Sequence, residues 1–69
     1  MNLLDRLKPE YLEKLEIVKN DYPIMYEKIN NSLNGNQSVF ALTLDEASSI
    51  CVFLNMETTL NNLMSLFIE

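Results

Sequence analysis

The apolar positions of this chain change sides. In the C-terminal third, Leu44, Ala47, Ile50, Cys51 and Leu54 fall on one arc of a helical wheel turned at about 100° per residue. Phe53, Met56, Leu60, Leu63, Met64 and Phe67 fall on roughly the opposite arc, and the polar residues exchange places with them. One straight helix against one core cannot carry both arcs. Either the helix breaks near residues 55–57, or a continuous helix is buried on two sides by different partners. We expect the break, with Asn55, Thr58 or Thr59 capping a last helix that runs from Met56 to about Ile68. Both solutions describe a segment built for contact.

Upstream, Leu7, Tyr11, Leu15, Val18, Tyr22, Met25, Tyr26, Ile29 and Leu33 are spaced by three or four, with Met25 and Tyr26 adjacent, the mark of one helical face. Pro9 suits a first turn, with Lys8 before it. Glu10 with Lys14, and Glu16 with Lys19, are spaced as helix-surface ion pairs. Pro23 interrupts the run, since proline removes one hydrogen bond and clashes with the preceding turn. The apolar phase nevertheless continues across it. The sequence therefore predicts a kinked amphipathic helix over about 9–33, with two helices joined at Asp21 or Tyr22 as the other solution. Ile17 and Ile24 form a minor apolar line off the main stripe, so this element has contacts on two sides.

The asparagines around Ser32 and Gly35 end the helix, and Gly35 is free to take the positive φ of a helix-terminating residue. Residues 38–43 have some β character but no strand to pair with, so they read as a connector, the alternative being an edge that pairs with a second copy. Thr43 and Glu46 have capping-box spacing, with Leu42 and Ala47 placed as its hydrophobic staple, which predicts a helix starting at Leu44. Asp45 and Glu46 lie where the helix dipole favours negative charge. The expected architecture is a single all-α domain over 1–69. It is a small bundle of three to four helices, with a kinked N-terminal helix (about 9–33) and a broken or bent C-terminal helix (about 44–68).

Size sharpens this picture. A core drawn from 69 residues supplies only about 3–5 kcal/mol, so small domains lean on disulfides, metals or partners. Cys51 is the single cysteine and there is no histidine, which excludes an intrachain disulfide and nearly excludes a Cys/His metal site. Association is the support that remains, so we expect a homo-oligomer.

Charge narrows the partners. The formal net charge is −5, and all five basic residues (Arg6, Lys8, Lys14, Lys19, Lys28) lie in the first 28 positions, interleaved with six acids. No phosphate-neutralising patch or basic helix face stands out, which argues against direct nucleic-acid binding and against a membrane-surface helix. No apolar run approaches the roughly 18 residues of a membrane span. The opening residues are charged at once and lack an apolar core, so we expect no signal peptide, and the lone thiol suits a reducing cytoplasm.

Catalytic chemistry finds little purchase. Ser–His and Cys–His mechanisms need an imidazole. Cys51 sits in an apolar arc and reads as a small buried hydrophobe. No glycine-rich phosphate loop is present. We therefore expect a non-enzyme without cofactor or metal. Two surfaces are candidates. Phe53, Met56, Leu60, Leu63, Met64 and Phe67 form a prospective interface, because methionine suits adaptable contact. Tyr11, Tyr22 and Tyr26 share the N-terminal stripe, flanked by Lys8, Lys19 and Lys28, and form a contact surface or, with Lys28, a site for a small anionic ligand such as a nucleotide between subunits. The short, asparagine-rich, histidine-free chain has the general look of small accessory proteins of phages and mobile elements. The leading expectation is a protein–protein interaction module that inhibits or modulates a larger host protein. An oligomeric sponge for a small anionic ligand and a structural assembly subunit are the alternatives.

Overall fold

The computed structural model describes residues 1–68. Four helices form: α1 (Leu3–Arg6), α2 (Pro9–Asp21), α3 (Pro23–Asn34) and α4 (Leu44–Asn55), with 3₁₀ turns at Val39–Ala41 and Leu63–Leu66. The chain is the small all-α bundle that its apolar periodicity predicts. Helix α2 packs on α3 and α4, α1 packs on α3, and the last 3₁₀ turn closes against α4.

The junction at Pro23 is a full break between two helices. Tyr22, at φ −137° and ψ 68°, ends α2 and precedes Pro23 at the first position of α3. A continuous helix over 9–34 would be about 39 Å long, whereas the longest dimension of the molecule is 27 Å. The chain must therefore turn sharply at Tyr22. The apolar phase survives because Leu15 and Val18 on α2, and Ile29 and Leu33 on α3, reach one core from two directions.

Helix α4 begins as its capping box predicts. The Glu46 amide donates to Thr43 Oγ1 (3.1 Å) and the Thr43 amide donates to Glu46 Oε1 (2.9 Å). Its buried face is Ala47, Ile50, Cys51 and Leu54, while Leu44, assigned to the same arc, is exposed. The helix ends where the apolar face switches. Met56 takes a left-handed conformation (φ 54°), and the Met56 and Glu57 amides both reach back to the Cys51 carbonyl, the latter at 3.2 Å, which ends the helix on left-handed backbone in a residue other than glycine.

Beyond Met56 the expected last α-helix does not form. Residues 57–62 run through bends and turns, and the chain then makes the 3₁₀ turn Leu63–Leu66. Thr58, Thr59, Asn61 and Asn62 are all poor helix formers. Phe67 pairs with Leu7 in an isolated antiparallel bridge, with the Lys8 amide donating to the Leu66 carbonyl (3.0 Å) and the Ile68 amide to the Arg6 carbonyl (2.7 Å). Leu63, Leu66 and Phe67 thereby join the core, although Leu63 and Phe67 lie on the opposite arc of the wheel. The side switch is thus a turn of the chain, and a two-sided helix is not needed.

Two local details also differ from expectation. Gly35 has φ −89°, so it does not use left-handed backbone; a Cβ there would meet the Asn31 carbonyl oxygen at 2.9 Å, and close approach is its reason. Residues 38–43 form a connector around the 3₁₀ turn Val39–Ala41, with no strand. The pairs Glu10–Lys14 and Glu16–Lys19 do not close. Among the described residues the single ion pair is Lys28–Asp45, joining α3 to α4. Exposed helix pairs stabilise by only about 0.3–0.5 kcal/mol and are easily lost to side-chain entropy.

The same two helices are joined by a buried hydroxyl. Ser32 Oγ lies 2.7 Å from Glu46 Oε2 and 2.9 Å from the Lys28 carbonyl. It has one proton to donate, and the ionised carboxylate is the stronger acceptor. That bond, followed by the Thr43 amide, holds the Glu46 carboxyl below its ordinary value of 4.5 against the opposing effect of burial. A carboxyl depressed on folding stabilises the native state above its unfolded pKa, and loses that contribution as pH falls through its folded one. Ser32→Ala is therefore expected to melt below wild type at neutral pH, with the gap narrowing as pH drops below about 4.5; thermal melts between neutral pH and pH 3 check this.

Candidate functional site

The six residues of the prospective interface divide three ways. Leu63 and Phe67 are core. Phe53 is half-buried and Met56 exposed; both line a hollow against Lys14 and Ile17 of α2, and Phe53 also borders the junction of α2 and α3. Leu60 and Met64 are exposed beside the connector between α3 and α4. The turn at Met56 makes this division, because it carries Leu60 and Met64 back toward Leu44 and Ala47 at the start of α4, away from Phe53 near its end. Two separate apolar faces result.

The first, the loop face, centres on Met64, which is 59% exposed and borders three adjoining hollows. One, of about 190 Å³, lies between Arg6, Val39, Phe40, Met64, Phe67 and Ile68. A second adds Lys8 and Ser65. The third runs over Leu42, Leu44, Ala47 and Leu60. Phe40 stands 88% exposed at the shared rim. The connector holds it there because the Ser38 hydroxyl oxygen accepts from the Phe40 amide (3.2 Å), fixing the 3₁₀ turn. Arg6 Nη2 donates to the Gln37 carbonyl at 2.6 Å, while its Nε is buried with no acceptor among the described residues. The described walls of these hollows carry Arg6 and Lys8 and no carboxylate, although the chain has ten acids against five bases.

The second, the hinge face, lies where α2 meets α3. Lys14, Ile17, Phe53 and Met56 line one shallow hollow, and Asp21, Tyr22, Pro23, Ile24, Met25 and Phe53 line the next. The Tyr22 and Phe53 rings meet edge to face at 5.6 Å and 67°. The minor line Ile17–Ile24 thus has a place in the structure, as an exposed rim rather than a second core.

The tyrosine surface does not gather within one chain. Tyr11 Oη donates to Asn55 Oδ1 at 3.4 Å, at the C-terminal end of α4. Lys28 is tied to Asp45 at the other end. Ten helical residues separate those anchors by about 15 Å. Tyr26 is half-buried beneath the Lys19 ammonium, 5.5 Å from its ring centre, and Tyr22 belongs to the hinge face.

Cys51 is buried in α4, and desolvation, with a smaller contribution from Glu57, raises its thiol above the ordinary value. That environment suits packing rather than nucleophilic attack. Among the described residues no three His, Cys, Asp or Glu side chains cluster to hold a metal, and no helix is long and apolar enough to cross a membrane. The sequence places Lys8 only beside the tyrosine stripe, and Arg6 and Phe40 are not legible there as site residues. Their only sequence signal is that Phe40 is an aromatic between asparagine-rich and capping segments.

Comparison with known protein families, characterised proteins and solved structures gives no match.

Proposed function

We propose that the protein is a non-catalytic binding module that docks a larger protein through the loop face and modulates it by covering part of its surface. The observation that carries this reading is the composition of the hollows around Met64: exposed apolar side chains, two cations and no carboxylate on the described walls of an acidic chain. Phe40, Leu44, Leu60, Met64 and Ile68 together expose on the order of 500 Å² of apolar surface, within the ~300–600 Å² range of the largest patches on monomers, which are often functional. The chemistry that fits is a protein segment presenting an apolar side chain to Met64 and carboxylates to Arg6 and Lys8. Apolar contact supplies the affinity, and the cations orient the encounter.

The test is capture by tagged wild type and tagged Met64→Asp, with hinge-face Ile24→Asp as a control. A single partner recovered at fixed stoichiometry by wild type and Ile24→Asp, with affinity for Met64→Asp lowered roughly 30-fold as for loss of a central anchor, supports the reading. Equal capture by Met64→Asp, confirmed folded by circular dichroism, overturns it. Lys8→Glu is expected to slow association and weaken its dependence on salt, as measured by surface plasmon resonance.

A further inference from the structure

The hinge face has a property the loop face lacks: it is complementary to itself. Lys14 and Asp21 lie seven residues apart on α2, so they fall on nearly the same side of the helix about 10.5 Å apart. Ile17 stands between them, 58% exposed. Phe53 borders the hollow that contains Lys14 and also the one that contains Asp21, and so joins the two. Ile24 and Met56 extend the apolar centre, 87% and 82% exposed. Neither Lys14 nor Asp21 has an ion-pair partner within 4 Å among the described residues. The face is thus an apolar strip with an unpaired cation at one end and an unpaired anion at the other.

A strip of this kind fits its own copy after a half turn. In a two-fold interface the same patch meets itself, and residue i contacts residue j twice. We propose that the protein forms a two-fold homodimer through the hinge face. Ile17 lies near the axis, Lys14 of each protomer faces Asp21 of the partner subunit, and Phe53, Ile24 and Met56 close the apolar centre. A foreign partner would need no such balance of charge along the strip. The two ion pairs also offset locally the repulsion between two chains of net charge −5 each. The exposed apolar area is on the order of 500 Å² per protomer, below the ~800 Å² of a standard interface, so the dimer dissociates on dilution. The hinge face shares no lining residue with the loop face.

Sedimentation velocity over a wide concentration range tests it. Wild type moves from 8.0 kDa toward twice that mass as concentration rises. Lys14→Glu alone and Asp21→Lys alone each create two like-charge contacts and weaken the dimer about tenfold. The double variant Lys14→Glu/Asp21→Lys re-forms both pairs in reverse and returns to within about twofold of wild type. Asp21 is exposed and Lys14 half-buried, and circular dichroism confirms that each variant is folded. A wild type that stays monomeric at every concentration overturns the proposal. So does a dimer that ignores the single reversals, or one that the double reversal fails to restore.

Discussion

Replacing Leu63 by Asp is expected to unfold the domain, while the same change at Met64 leaves it folded. The two neighbours share an arc of the helical wheel but meet opposite environments. Leu63 is 8% exposed in the core, and Met64 is 59% exposed on the loop face. Burying a carboxylate without a partner costs several kcal/mol, and losing the leucine forfeits about 2 kcal/mol of transfer energy. A core of this size holds only about 3–5 kcal/mol in total. Leu63→Asp therefore loses its helical circular-dichroism signal at 25 °C, and Met64→Asp melts within a few degrees of wild type. A folded Leu63→Asp would mean that the segment after Met56 does not close the core.

The second large effect lies inside α4. Leu54→Ala should cost about 2–5 kcal/mol, because the side chain is fully buried and removal leaves a cavity that the short helices around it cannot fill. Leu44→Ala, ten residues earlier on the same arc, should stay within about 0.5 kcal/mol of wild type, since Leu44 is exposed at the start of the helix. Urea titrations of the two variants measure the contrast. Similar costs at both positions would contradict the burial assigned to α4.

That contrast shows where sequence reasoning succeeds and where it stops. Helix α4 was legible at both ends: Thr43 and Glu46 announce its start, and the change of apolar face announces its end. The N-terminal stripe was legible as well, because local periodicity reports which side of a helix is wet. Periodicity does not report how the chain turns between helices. Pro23 marks a break or a kink equally, and the compact dimensions of the molecule separate them. The segment after Met56 misled for a related reason. Leu60, Leu63, Met64 and Phe67 have helical spacing, but a 3₁₀ turn places Leu63 and Leu66 one above the other with three residues per turn. Phe67 then finds Leu7, sixty positions away. Helix α1 escaped notice because four residues hold no period; its trace is the capping interaction of Asn2 with Asp5, whose amide donates to Asn2 Oδ1 at 3.0 Å.

The candidate surfaces were less legible than the fold. Methionine and phenylalanine at helical spacing fit core and interface alike, and only the path of the chain separates Leu63 and Phe67 from Leu60 and Met64. The cations of the loop face come from residues 6 and 8, and the apolar groups from residues 39–44 and 60–68. The Leu7–Phe67 bridge brings those segments together, so no local pattern in the sequence encodes the face.

The measurement that tests the binding account most directly is amide chemical-shift mapping of isotope-labelled protein titrated with the partner captured by wild type. Perturbations confined to Arg6, Lys8, residues 39–44 and residues 60–68, with residues 14–24 unmoved, are the predicted result. Perturbations centred on residues 14–24 and 53–56, with Phe40 and Met64 silent, would contradict the assignment of the loop face as the docking surface.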